Sequence, residues 1–471
     1  MQTETEIMTD AVAEATSTPV SLPGWLQRVA GRTAHVGIIG LGYVGLPLTL
    51  LFSEERFRVT GFDIDAAKVD RLNAGESYIH RIEPEHIQAA QGAGFQATSD
   101  FSRIADVDAV LICVPTPLHE DHTPDMSYVV STMEALAPHL RAGQLVVLES
   151  TTYPGTTEEI VVETINRHGV ARGVAVLRNP QGPSDNQSDT LDGVLVAFSP
   201  EREDPGNIVT PRRDIPKVIG GVDRRAASAA EALYGTVFNR TVLMSSPAAA
   251  EMTKLLENIY RCVNIALVNE LKQLCEHMGI NIWEVIDAAA TKPFGFQAFY
   301  PGPGVGGHCI PVDPFYLSWK AEQYGFPTRF IELAGEVNES MPQYVVQTTA
   351  RALERNGVRL RGAKVLVLGV AYKRDVDDLR ESPSLTIIEL LKREGAEVAY
   401  NDPFFETVGR GRKYALNLTS TPLTDLGSFD CVLIATDHSV YEYEKIVEQA
   451  RLVVDSRNAT KAYDSPKIVR C

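Results

Sequence analysis

Six cysteines in 471 residues, at 113, 262, 275, 309, 431 and 471, form no CxxC pair and no dense framework. That spacing excludes a disulfide scaffold and fits a reducing compartment, so a cytoplasmic protein without a metal site is expected. Positive charge is also scarce: 44 Lys and Arg stand against 61 Asp and Glu, a net charge of -17. Nucleic acid and anionic membrane, which call for a basic surface, are therefore excluded as partners. An anionic ligand would have to be held by individual Lys and Arg side chains against the overall field. No apolar run reaches the roughly 18 residues of a membrane span. Residues 1–33 begin acidic and rich in Thr and Ala, with neither the basic nor the apolar region of a secretion signal. A mobile extension is expected there, with a short helix over 22–29.

The length prior is about three domains. Apolar runs at 36–39, 58–63, 109–114, 145–149 and 195–198 alternate with helix-like segments, the pattern of βαβ units in a parallel sheet. The first run leads into Gly40-Leu41-Gly42-Tyr43-Val44-Gly45, and Asp63 ends the second run, 18 residues after Gly45. The glycines permit a tight turn, approach of a pyrophosphate and close packing of helix on strand, while a carboxylate at that distance accepts from ribose hydroxyls. The acid disfavours a 2′-phosphate, so NAD is expected rather than NADP. Lys68, one turn further on, softens that preference or is a solvated helix face.

Between 248 and 277 there is neither proline nor glycine, and Met252, Leu255, Leu256, Ile259, Val263, Ala266 and Leu267 recur at helical spacing. One long helix is expected, either buried within the chain or offering a face to a second copy. Further helices are expected at 281–290 and 313–325, and an exposed inserted loop at 178–190. From Lys364 the βα pattern restarts, without the full glycine fingerprint. The expected fold is α/β: two doubly wound Rossmann-like domains, 34–245 and 341–471, joined by a central helical domain over 246–340.

Lys254 and Asn258 lie four apart on the long helix, so they share a face, and together they suit the stabilisation of oxyanion charge. Cys309 and Asp313 are also four apart, on a loop with glycines at 302, 304, 306 and 307. A thiolate there could trap an aldehyde as a thiohemiacetal and allow a second oxidation to a thioester. The alternative for Cys309 is a buried structural thiol, as is expected of Cys113 and Cys431, but its glycine-rich setting favours reactivity. His308 is left without a role.

These residues sit in GLGYVGLP (40–47), FDIDAAKVDRLNAG (62–75), CVPTPL (113–118), ESTTYPGTTEE (149–159), FSPEREDPGN (198–207), EMTKLLEN (251–258), PGPGVGGHCIPVDPFYL (301–317) and GVAYKRDVDDLRESPS (369–384). With them the chain resembles the UDP-sugar 6-dehydrogenases of the UDP-glucose/GDP-mannose dehydrogenase group over about 34–471. The resemblance implies a nucleophilic role for Cys309 and oxyanion roles for Lys254 and Asn258. It makes Asp313, with Lys254 and a water, the acceptor of the alcohol proton, and Thr151 the residue that orients that water. Glu201 would assist thioester hydrolysis. Pro115, Thr116, Thr151 and Arg380 would contact the cofactor; Lys373, Tyr300, Gly304 and Gly307 would contact the UDP-sugar.

Two positions depart from the pattern of relatives that act on UDP-glucose. A second glutamate is replaced by Pro205, and an arginine about sixteen residues before the cysteine is absent, the region reading Lys292-Pro-Phe-Gly-Phe. These forms look most like the dehydrogenases for UDP-N-acetylglucosamine, with Arg202 and Lys292 shaping the sugar contacts. The implied reaction oxidises C6 to the uronic acid with two NAD and one water, for a surface polysaccharide or O-antigen, in a homodimer or higher homo-oligomer. Open alternatives are the same reaction on UDP-N-acetylmannosamine or UDP-glucose, a one-step hydroxyacid dehydrogenase, and a non-catalytic nucleotide-sugar sensor.

Overall fold

The computed structural model describes residues 21–79, 82–119, 121–169, 173–178, 189–203, 210–307, 310–411 and 414–471. Eight strands form the first sheet: β1 (His35–Ile39), β2 (Arg58–Phe62), β3 (Gln96–Thr98), β4 (Ala109–Ile112), β5 (Leu145–Leu148), β6 (Leu195–Phe198), β7 (Lys217–Gly221) and β8 (Thr241–Met244). Their order is β3-β2-β1-β4-β5-β6-β7-β8, parallel through β6 and reversed at the β6–β7 pair. Val, Ile and Leu fill β1, β4, β5 and β6, each buried along its whole length, because helices cover both faces. The strand order turns between β1 and β4, and at such a switch point ligands bind beyond the carboxyl ends of strands.

Five parallel strands form the second sheet, in the order β10-β9-β13-β14-β15: β9 (Lys364–Leu368), β10 (Glu397–Asn401), β13 (Cys431–Ile434), β14 (Val453–Asp455) and β15 (Ile468–Arg470). A hairpin, β11 (Thr407–Arg410) with β12 (Ala415–Thr419), lies beside it. The chain is thus the expected α/β protein, with two Rossmann-like sheets flanking a helical region. The apolar runs of the sequence had no counterpart for β3, β7 and β8.

The long helix runs from Pro247 to Met278. Ser246 caps it by accepting from Ala249 N at 3.2 Å, proline opens its first turn, and Gly279 ends it with φ 68°. Its Glu251, fully buried, accepts from Gly155 N at 2.6 Å and Thr157 N at 2.9 Å, tying the helix to the turn after β5. Beside it lies a second long helix, Arg329–Arg355, which passes unbroken through the boundary expected at 340/341. Pro342 sits inside it. Where a mobile extension was expected over 1–33, the described end is docked: Leu22–Ala30 is helical, Trp25 and Val29 are buried, and Arg28 Nη1 lies 2.6 Å from Asp108 Oδ1. Of the 178–190 loop, 179–188 lie outside the described residues.

Candidate active site

The glycine turn sits at the switch point. A Cβ on Gly45 would fall 1.9 Å from Gly40 O, so only glycine lets the helix Gly45–Glu54 start so close to β1. Asp63 anchors the turn: its Oδ2 accepts from Leu41 N at 2.9 Å and its Oδ1 from Asp65 N at 3.0 Å. Lys68 Nζ stands 3.9 Å from Asp63 Oδ2. Val44 N-caps the helix, Gly42 meets no atom within 4 Å of its would-be Cβ, and Tyr43 stays 41% exposed. This open apron with a fixed acid behind it suits a dinucleotide. Pro115 and Thr116 follow β4, Thr151 follows β5, and Thr116 Oγ1 donates to Thr151 O at 2.8 Å, so all three border the same strand ends. In the second sheet the place of Asp63 is taken by Asp402, whose Oδ2 accepts from Val370 N at 2.7 Å and faces His438 Nε2 at 3.1 Å. Both side chains are fully buried, and that carboxylate has no face to offer a ribose.

Lys254 and Asn258 point from the long helix to Asp313, the first residue of helix Asp313–Glu322. Asn258 Nδ2 donates to Asp313 Oδ2, and Asn258 Oδ1 accepts from Arg261 Nη2. Lys254, Asn258 and Asp313 are all at least 95% buried. Burial pushes the Asp313 carboxyl up to about 6, against the opposing pull of Lys254, Asn258 and Arg261. A carboxyl in that range gives and takes protons near neutrality.

Glu201 lies beyond the end of β6. Its Oε1 accepts from the backbone N of Arg202 at 2.9 Å and of Glu203 at 2.8 Å, while its buried Oε2 has no partner among the described residues. Burial pushes its carboxyl upward, but Lys217, Arg212 and Lys254 outweigh that and leave it below the ordinary range. Lys254 thus acts on both carboxylates, Glu201 and Asp313. Beneath Glu201, Lys217 Nζ donates to Glu149 Oε2 at 2.5 Å and to Pro200 O at 3.1 Å, and Tyr234 OH donates to Glu149 Oε1.

Arg202, Lys254, Glu257, Tyr260, Arg261 and Phe299 line a cleft of about 320 Å³. Arg202 is clasped there by both oxygens of Glu257 and donates to Pro216 O at 2.6 Å. Lys292 and Tyr300 lie elsewhere: Lys292 is exposed over the Phe294 ring, and Tyr300 stacks on Trp283 and donates to Asp287. Cys309, His308 and Pro205 lie outside the described residues. The loop that leads to the cysteine is described through Gly307. There φ is +82° and an added Cβ would meet the Tyr372 ring at 3.0 Å, so the loop packs flat on the last domain. Gly307 N donates to Arg380 O at 2.9 Å, and Gly304 faces Pro383 and the Asn338 carbonyl. The Arg380 guanidinium, gripped by Asp378 at 2.6–3.0 Å, lies 5.2 Å over the Tyr43 ring. One short segment therefore touches both the nucleotide turn and the loop before the cysteine. Lys373 follows β9 in the same last domain.

Three residues of this region were missed in the sequence. Arg261 stood at helical spacing from Lys254 and Asn258, i+7 and i+3, and that signal was available. Glu257 and Asp378 act through partners that only the folded chain reveals.

Comparison with known proteins matches three segments in order: the NAD binding domain of the UDP-glucose/GDP-mannose dehydrogenase family over 34–238, its central domain over 248–340 and its UDP binding domain over 366–462. The UDP-N-acetyl-D-mannosamine dehydrogenase of Escherichia coli is 35% identical over 418 residues, covering 87% of this chain and 94% of that protein. The protein of the same name from Pyrococcus horikoshii is 34% identical over 439 residues, 91% of this chain and 96% of that one. Among solved structures, a UDP-glucose dehydrogenase from Pyrobaculum islandicum superposes with a TM-score of 0.80 at 30% identity, over 93% of this chain and 97% of that one. With the nucleotide turn, its acid and the UDP binding domain all in place, NAD is the cofactor, and the chain belongs to the UDP-glucose/GDP-mannose dehydrogenase family.

Proposed function

We propose that the protein oxidises C6 of a UDP-N-acetylhexosamine from alcohol to acid, most specifically UDP-N-acetylglucosamine to its uronate. The observation that carries the reading is the buried group Lys254, Asn258 and Asp313, whose Lys254 lines the same cleft as Arg202 and acts on both Asp313 and Glu201. NAD, when bound, supplies the hydride acceptor for both oxidations. Asp313, as carboxylate, takes the C6 hydroxyl proton through a water beside Lys254, with Thr151 orienting that water. The Cys309 thiolate then adds to the aldehyde carbon, and Lys254 with Asn258 steadies the oxyanion of the thiohemiacetal. Loss of a second hydride leaves a thioester on Cys309. Glu201 Oε2, buried and without a partner among the described residues, deprotonates the water that cleaves it, releasing the acid and the thiol.

The turn around Asp63 (Gly40 to Gly45), with Lys68, Pro115, Thr116, Thr151 and Arg380, holds the cofactor in this reading. Arg202, Gly304, Gly307 and Lys373 hold the UDP-sugar in this reading, which also assigns sugar contacts to Lys292 and Tyr300 although both stand away from the Arg202 cleft. The working unit is a homodimer. Met252, Leu256, Tyr260, Leu267, Leu274 and Met278 form one apolar stripe along the long helix, each 38–61% exposed. The names of the Escherichia coli and Pyrococcus relatives favour a second reading, the same reaction on UDP-N-acetylmannosamine.

NADH yield per sugar, measured with UDP-N-acetylglucosamine, UDP-N-acetylmannosamine and UDP-glucose, tests the reading. Two NADH per sugar and a uronate product are expected, with Cys309→Ser stopping acid formation. One NADH per sugar with free aldehyde as final product, or full acid formation by the serine variant, would overturn the covalent route. Binding without NADH would indicate a sensor.

A further inference from the structure

The geometry points to Arg261 as a positioning residue that fixes which end of the Asn258 carboxamide faces the reacting sugar. The inference rests on the reading in which Asn258 and Asp313 act on substrate. The two ends of an amide are opposite in kind: Oδ1 only accepts and Nδ2 only donates. Arg261 carries donors alone and occupies Oδ1; the Asp313 carboxylate, an acceptor when ionised, occupies Nδ2. Both partners therefore select the same one of two rotations that are sterically equal. Asn258 is fully buried and Asp313 is 3% exposed, so bulk water has little access to the Asp313 side of the amide, while Arg261 reaches Oδ1 from the cleft. The second Nδ2 hydrogen is left for the sugar oxygen. With the amide reversed, a carbonyl oxygen would meet the developing oxyanion and repel it.

The helix makes this arrangement local. Lys254, Asn258 and Arg261 fall at i, i+4 and i+7 on one face, and Arg261 borders the cleft beside Lys254. Among the described residues, the charged and titratable groups coupled to Asp313 are Lys254 and Arg261 from the long helix and Tyr316 from its own helix. Arg261 therefore supports the ionised form of Asp313 as well as the amide.

The full chain carries the test as Arg261→Leu, Arg261→Gln and Arg261→Lys. An orphaned buried acceptor costs about 1–3 kcal/mol, so Arg261→Leu should lower kcat roughly ten- to hundredfold. It should also move the acid limb of the kcat/KM profile to higher pH, because a cation that favoured the carboxylate is gone. Arg261→Gln, which keeps a donor without charge, should retain most of kcat at high pH but still show the moved limb. Arg261→Lys should restore the limb. A raised KM with unchanged kcat and limb would make Arg261 a mere sugar contact and overturn the proposal, as would a lower Tm with the limb unmoved. Carbon NMR of aspartate-labelled protein reads Asp313 without turnover. If wild type makes no NADH from any UDP-sugar, the functional reading fails while this titration still tests the Arg261 coupling. If NADH forms but neither the limb nor the Asp313 titration moves, the Arg261 proposal alone fails.

Discussion

Lys217 holds its ammonium 2.5 Å from Glu149 Oε2, with both side chains at most 3% exposed beneath the strand end that bears Glu201. Removing one member of a buried pair strands the other charge, at a cost of roughly 3–5 kcal/mol. Lys217→Met should therefore lower unfolding free energy by about that amount in urea denaturation near neutral pH. It should also raise the Glu201 carboxyl, which loses the strongest cation acting on it. A loss below about 1 kcal/mol would show that the pair is not closed off from water as drawn.

Asp313 sets a pH dependence whose sign is opposite for stability and for activity. Its carboxyl is raised to about 6 by burial, so the folded state binds a proton that the unfolded chain releases. That contribution to stability is complete below the ordinary aspartate range and is lost as pH rises through about 6. At neutral pH, Asp313→Asn should be more stable than the native chain by roughly 1–3 kcal/mol, read from the urea midpoint. Activity runs the other way: the ionised base is lost as pH falls through the same range, and the amide variant should oxidise nothing at any pH.

Asp63 holds the nucleotide turn through the backbone N–H of Leu41, while Asp65 N steadies its other oxygen. Hydrogen bonds to a charged acceptor contribute about 1.5–3 kcal/mol, so Asp63→Ala should raise KM for NAD roughly ten- to hundredfold. KM for the UDP-sugar, held by other elements, should stay within about twofold. Initial rates with each substrate varied in turn check both halves.

The apolar stripe along the long helix gives a test of assembly. Glutamate at both Leu256 and Leu267, which are 58% and 53% exposed, adds four charges to a symmetric interface. The double variant should sediment as a monomer where the native chain sediments as a dimer. A native chain that is monomeric at micromolar concentration would remove the homodimer from the reading.

Sequence reasoning reached the first sheet wherever apolar runs met turn residues, as at Val36–Ile39 before the glycine turn. It failed at β7, where Lys217 and two glycines break the apolar signal although the lysine is buried on its glutamate. The helix Arg329–Arg355 was hidden by Gly335 and Pro342, which read as breakers until tertiary packing outweighs them. Lys254 and Asn258 were visible as a spaced pair. Their meeting with Asp313 depends on how helix Asp313–Glu322 docks on the long helix, which no local pattern encodes. Lys292 was assigned a sugar contact from the resemblance alone; in the fold its ammonium lies over Phe294.

The unbroken run of Arg329–Arg355 bears on how the molecule moves. At about 1.5 Å per residue it is a rod of roughly 40 Å whose first turns belong to the middle of the protein and whose last turns pack under β9 and its neighbours. Opening and closing around ligands therefore cannot pivot at residue 340, and the last sheet should travel with the rod as one lever.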